Sequence, residues 1–118
     1  MESSEFIKSA NTLVKGSNEV DYRNAISRAY YGAFHACSDL ASQNNLDSIG
    51  SCHERLVSAL KSHPKFVSIA NKLHDAKGKR TIADYNLSRK MTQSEAKNIV
   101  RKCIAIQGEV NLLKTQAS

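Results

Sequence analysis

One proline, Pro64, and five glycines are all the helix-breaking punctuation in 118 residues. Across most of the chain, apolar residues recur at three- and four-residue spacing. Proline and glycine are the residues that end or weaken helices. So little interruption, combined with that period, leaves amphipathic helices as the available structure. No segment alternates apolar and polar residues as a half-buried strand does. The pattern therefore predicts an all-α fold, an up-and-down bundle of four to five helices in one domain spanning residues 1–118.

The first helix is expected from about Ser4 to Lys15, with Phe6, Ala10, Leu13 and Val14 on its apolar face and Gly16 as its stop. The second begins near Ser17–Asp21 and runs to about Gln43, and "NNLDSIGS" follows as a loop. Ser51 and Glu54 form an S-x-x-E capping box for a third helix, whose apolar face holds Leu56, Val57 and Leu60. Pro64 suits the first turn of a fourth helix carrying Val67, Ala70, Leu73, Ala76 and Ala83, with a weak point at Gly78. "NLSRKM" breaks the pattern. Thr92 and Glu95 make a second capping box before a last helix with Ala96, Ile99, Val100, Cys103, Ile104, Ile106, Val110 and Leu113.

Composition narrows the function classes. Apolar residues are 41% of the chain, and no run approaches the roughly 20 residues of a spanning helix. The start, "MESSEFIKSANTLVKG", has no basic stretch followed by an apolar one, so no signal peptide and a cytoplasmic location are expected. Cys37, Cys52 and Cys103 are odd in number and widely spaced, which fits reduced core thiols better than disulfides or a zinc site. Seventeen Lys and Arg against 11 acids give a net charge of +6. That excess favours polyanionic partners, chiefly nucleic acid, although a lysine-rich solvated surface has the same composition.

The second helix holds the most informative residues. At about 100° per residue, with Arg28 at zero, Asn24 lies near −40°, Tyr31 near −60°, His35 near −20°, Asp39 near +20° and Gly32 near +40°. Tyr22, Ile26, Ala29, Tyr30, Ala33, Cys37 and Leu40 occupy the opposite side. An ordinary solvated face is filled with Lys, Glu and Gln. This stripe has none of them. It carries residues that bind anions, stack or transfer protons. Gly32 in mid-helix costs about 1 kcal/mol relative to alanine, which is tolerable where something must approach the backbone closely. Two readings of the stripe stand: a functional site, or a buried polar seam in which a carboxylate such as Asp84 satisfies Arg28 and His35.

"DYRNAISRAYYGAFHAC", "CHERL" and "AKGKRTIADYNLSRKMTQSEAKNIV" together resemble the small stand-alone branch of the HEPN superfamily. The resemblance rests on Arg28 to His35 (R-A-Y-Y-x-x-F-H), on His53 near a helix start, and on Arg80 to Tyr85 (R-x-x-A-D-Y) before the final helix. It covers nearly the whole chain in the expected order. Active members are commonly metal-independent endoribonucleases that pair an Arg and a His across a two-fold dimer. That implies Arg28 and His35 as catalytic residues, with Asn24, Tyr31, His53, Arg80 and Asp84 binding substrate or supporting the site. The implied partners are RNA, a second copy of the chain, and an antitoxin or nucleotidyltransferase-like protein in a toxin–antitoxin or phage-defence setting. No cofactor and no metal are implied.

The chain departs from the pattern in places. Six residues separate Arg28 from His35, the upper limit of the family spacing. Ala29 stands where many members have a polar residue. Cys37 replaces the tyrosine whose modification silences one toxin subfamily. Some members have lost catalysis, so the alternative is an inactive module that binds nucleotide, RNA or a partner protein. Outside the family, a structural helical adaptor is the remaining alternative, which the composition of the stripe disfavours.

RNA supplies its own nucleophile, the 2′-OH. Metal-free cleavage needs a base for that proton, a cation for charge developing at phosphorus, and an acid for the leaving oxygen. Histidine is the side chain suited to the proton transfers. Arginine cannot be deprotonated and presents a planar fork to phosphate. One histidine does not readily serve as base and acid together, and a dimer supplies two. Of the other histidines, His53 is read as a surface or cap residue, with a place beside the site as the competing role. His63 and His74 are read as solvent-facing. No histidine pair has metal-ligand spacing. Arg80 and Asp84 form an i, i+4 pair, read first as a simple helix ion pair. The functional reading has Asp84 orienting Arg28 or His35.

Overall fold

The computed structural model describes residues 3–46 and 53–117, and beyond residue 114 the backbone alone. Its elements are α1 (Ser3–Val14), α2 (Glu19–Gln43), α3 (His53–Lys61), α4 (Val67–Tyr85) and α5 (Gln93–Ala117), with a 3-10 turn at Pro64–Phe66 leading into α4. No strand occurs among the described residues, and the fold is an all-α helical bundle. No described helix is long and apolar enough to cross a membrane.

α2 lies at the centre and packs against all four other helices. Its length follows from its ends. The Asn18 side chain caps the start by accepting the Asp21 N–H at 2.9 Å. Asn45, with φ 56°, turns the chain out of the helix beyond Gln43. Between them Ala25, Ile26, Ala29, Ala33, Cys37, Leu40 and Ala41 are wholly buried. This run of small residues lets neighbouring helices approach closely. α5 adds Ala96, Ile99, Val100, Cys103, Ile106 and Val110 to the same core. Cys37 and Cys103 are buried free thiols, each pushed up to about 12 by burial.

Local chemistry sets the other boundaries. Thr92 caps α5 by accepting the Glu95 N–H at 3.2 Å, while the Glu95 carboxylate pairs with Arg89 at 3.1 Å. The Gln93 amide donates to the Val14 carbonyl at 3.0 Å, tying the end of α1 to the start of α5. Pro64 opens a separate 3-10 turn ahead of α4, and His63 caps that turn by accepting the Lys65 N–H at 3.2 Å. His63 also stacks on Phe66, with centroids 4.2 Å apart, and so is not the solvent-facing residue expected. The capping box at Ser51 lies outside the described residues, as does Cys52.

Three apolar assignments need correction. In α1 the core position belongs to Ile7, and Phe6 is only half-buried, facing α2. Val67, at the first position of α4, is 38% exposed, and Ile104 is 39% exposed. Ile104 follows the fully buried Cys103, and one step of about 100° takes it off the buried face.

Candidate functional site

Asn24, Arg28, His35 and Asp39 are exposed along α2, with Tyr31 among them at 38% exposure. The stripe is therefore not a buried seam. Its geometry depends on what flanks it. On one side α1 passes close to Gly32: a Cβ there would lie 3.0 Å from the Ile7 side chain and 3.2 Å from Phe6 Cβ. The missing side chain thus lets α1 lay Phe6 against the stripe. The Phe6 and His35 rings stack with centroids 5.2 Å apart and planes 24° apart. Phe34 meets His35 edge-on at 5.6 Å. The imidazole is held between two aromatic rings yet open to solvent. Phe6 also lies 6.4 Å from the Tyr31 ring.

On the other side α4 supplies Arg80. Its guanidinium carbon lies 5.3 Å from the Tyr30 ring centroid, 5.6 Å from that of Tyr31 and 5.9 Å from that of Tyr85. These distances are within cation–π range. Arg80 pairs with Asp84 at 3.2 Å, and its buried Nε has no hydrogen-bond partner. Asp84 therefore makes its ion pair within α4, as the i, i+4 spacing predicts, and not with Arg28 or His35.

His53 differs from its surface reading. It is 6% exposed, and its Nδ1 lies 2.7 Å from the Tyr30 hydroxyl. Its Nε2 faces His74 Nδ1 at 3.4 Å, so the exposed His74 is in contact with the interior network. Burial, reinforced by the nearby Lys77 charge, pulls His53 down to about 4. Burial likewise raises the Tyr30 phenol, against the opposing influence of Arg80. His53 is thus a neutral imidazole that fixes Tyr30. The Tyr30 ring in turn supports Arg80 and meets Tyr31 at 5.5 Å. The Lys77–Glu54 ion pair links α4 to α3 beside it.

Arg23 completes the arrangement and was not singled out from the sequence. It is 8% exposed although it sits in the second turn of α2. Its guanidinium donates to the carbonyls of Ala83 at 2.8 Å, Asn86 at 3.2 Å, Ile82 at 3.4 Å and Arg89, and to Glu19 at 3.1 Å. These carbonyls lie at and beyond the end of α4, where a helix leaves acceptors unsatisfied. One arginine thereby fixes the α4 terminus, with Tyr85 on it, against α2.

A groove of about 400 Å³ between α4 and α5 is lined by Lys72, Lys79 and Lys102 together with Asp75, Ile99 and Ile106, and Lys72 pairs with Glu109 at 2.9 Å. Among the described residues no group of three or more His, Cys, Asp or Glu side chains is gathered as a metal site. No protein-family model matches the chain, and no curated protein matches it.

Proposed function

We propose that this protein is a metal-independent endoribonuclease of HEPN type, acting as a cytoplasmic homodimer on RNA in a toxin–antitoxin or defence setting. The observation that carries this reading is the exposure of Arg28 and His35 on one face of α2, with His35 steadied by Phe6. About two helical turns separate the two residues, so both side chains can reach a single phosphodiester.

His35 takes the proton of the 2′-OH, and the 2′-oxygen attacks phosphorus. The bond to the 5′-oxygen breaks, leaving a 2′,3′-cyclic phosphate. Arg28 stabilises the charge on the non-bridging oxygens. The leaving oxygen takes its proton from the second copy's histidine, which is why the dimer belongs to the mechanism. Tyr31, between the two residues on the stripe, contacts the substrate in this reading.

The test is RNA cleavage by the purified protein with and without His35→Ala. The expected result is 2′,3′-cyclic phosphate ends, unaffected by EDTA, and their loss in the variant with the helical circular dichroism unchanged. Equal cleavage by the variant would refute the assignment. No cleavage by the unaltered protein, with RNA still bound, would favour the non-catalytic module.

A further inference from the structure

Tyr85 ends α4 with 72% of its surface in water. Single exposed apolar residues are common, so exposure alone carries nothing. What sets Tyr85 apart is its link to Tyr31. The two rings come from different helices, and both lie within 6 Å of one guanidinium, that of Arg80. Both rings are exposed while the arginine side chain between them is only 14% exposed. Asp84 contacts Arg80 through a single nitrogen, and Nε has no acceptor. A largely buried arginine, paired with one carboxylate, thus lies within 6 Å of two rings from different helices, Tyr85 at 72% and Tyr31 at 38% exposure. Tyr31 belongs to the stripe that carries Arg28 and His35.

We propose that Tyr85 and Tyr31, on either side of Arg80, form a stacking platform for an unpaired nucleobase next to the phosphodiester held by Arg28. The identity of the ligand as RNA rests on the ribonuclease reading above. Proteins that hold single strands use aromatic faces in this way, because every base has a π-face. A base paired within a duplex cannot reach the platform, so it selects single-stranded RNA. Arg23 makes the platform stable by fixing the end of α4 that bears Tyr85.

The test uses a 2′-O-methyl pentaribonucleotide, which this mechanism cannot cleave, and an abasic oligomer of equal length and charge. Binding of each to the full chain is measured by fluorescence anisotropy. The expected result is that Tyr85→Leu weakens binding of the base-bearing oligomer about tenfold, leaves the abasic oligomer unchanged, and that Tyr85→Phe restores the affinity. Unchanged affinity in Tyr85→Leu overturns the platform. So does an equal loss for both oligomers, which marks a phosphate contact, or a changed sedimentation coefficient, which marks a contact between copies. The two readings fail separately. Loss of base-dependent binding in Tyr85→Leu, with no cleavage of ordinary RNA by the unaltered chain, sinks the nuclease alone.

Discussion

The imidazole of His35 lies face to face with the ring of Phe6, 5.2 Å between centroids, although the two residues belong to different helices. Loss of that ring leaves His35 free to rotate. Phe6→Ala is expected to reduce RNA cleavage by about tenfold to a hundredfold, the scale of an ångström-level misplacement. Because Phe6 is only half-buried, its stability loss should stay near 1–2 kcal/mol. Parallel cleavage and urea-unfolding measurements check this. Cleavage that falls only as far as the unfolded fraction rises would remove any positioning role.

Arg23 is expected to be worth more to the fold than either catalytic candidate. Arg23→Met leaves carbonyls of Ala83, Asn86 and Arg89 without their donor. The loss should be about 3 kcal/mol, against roughly 0.5 kcal/mol or less for the exposed Arg28→Ala. Arg23→Lys should restore only part of it, since an ammonium lacks the planar fork. Urea midpoints of the three variants measure the ranking.

His53 makes stability depend on pH in a defined direction. The folded state holds it neutral down to about 4, whereas in the unfolded chain it takes a proton below about 6.5. The unfolded state therefore binds the extra proton between those values. This contribution is complete above pH 6.5, declines as pH falls through the window, and is lost near pH 4. The full effect is on the order of 3 kcal/mol. The stability gap between the unaltered protein and His53→Gln should shrink by that amount from pH 7.5 to pH 4. A gap constant with pH would show that His53 is not held neutral.

The proposed two-copy mechanism requires a dimer, and two exposed apolar side chains are candidates for its contact. Val20 is 67% exposed in the first turn of α2, and Leu87 is 76% exposed in the turn after α4 that Arg23 binds. Analytical ultracentrifugation should find a dimer at micromolar concentration. Val20→Glu and Leu87→Glu should each raise its dissociation constant at least tenfold and lower cleavage in step. A monomer that cleaves RNA at full rate would defeat the two-copy mechanism.

The helices were readable from the sequence because each declares its own period and caps. Thr92 acts within a few residues of itself, α2 ends at Gln43 as expected, and only Pro64 departs, opening a 3-10 turn ahead of α4 and not α4 itself. The Arg80–Asp84 pair was visible for the same reason. His53 was misread, although the spacing held the signal: with Leu56, Val57 and Leu60 it completes an i, i+3, i+4, i+7 face, and all four are buried. Arg23 could not be found that way. Within its own helix it looks like the partner of Glu19, and only the end of α4, about 60 residues later, makes it an interior residue. The role of Gly32 was legible as a close approach, but which residues approach depends on how α1 packs.

The Arg23 corner also bears on how the protein stops working as it warms. Proteins open locally before they unfold globally, and such openings begin where few contacts hold a segment. The turn after α4 is such a place: Tyr85 and residues 86–90 are exposed, Arg23 binds the carbonyls of Asn86 and Arg89 to α2, and the Arg89–Glu95 pair ties the turn to α5. A brief release there would separate Tyr85 from Tyr31 while the core around Ile26, Leu40 and Val110 stayed closed. On the proposed reading, cleavage is expected to be lost on heating before the helical circular dichroism falls, and the gap between the two should widen in Arg23→Lys.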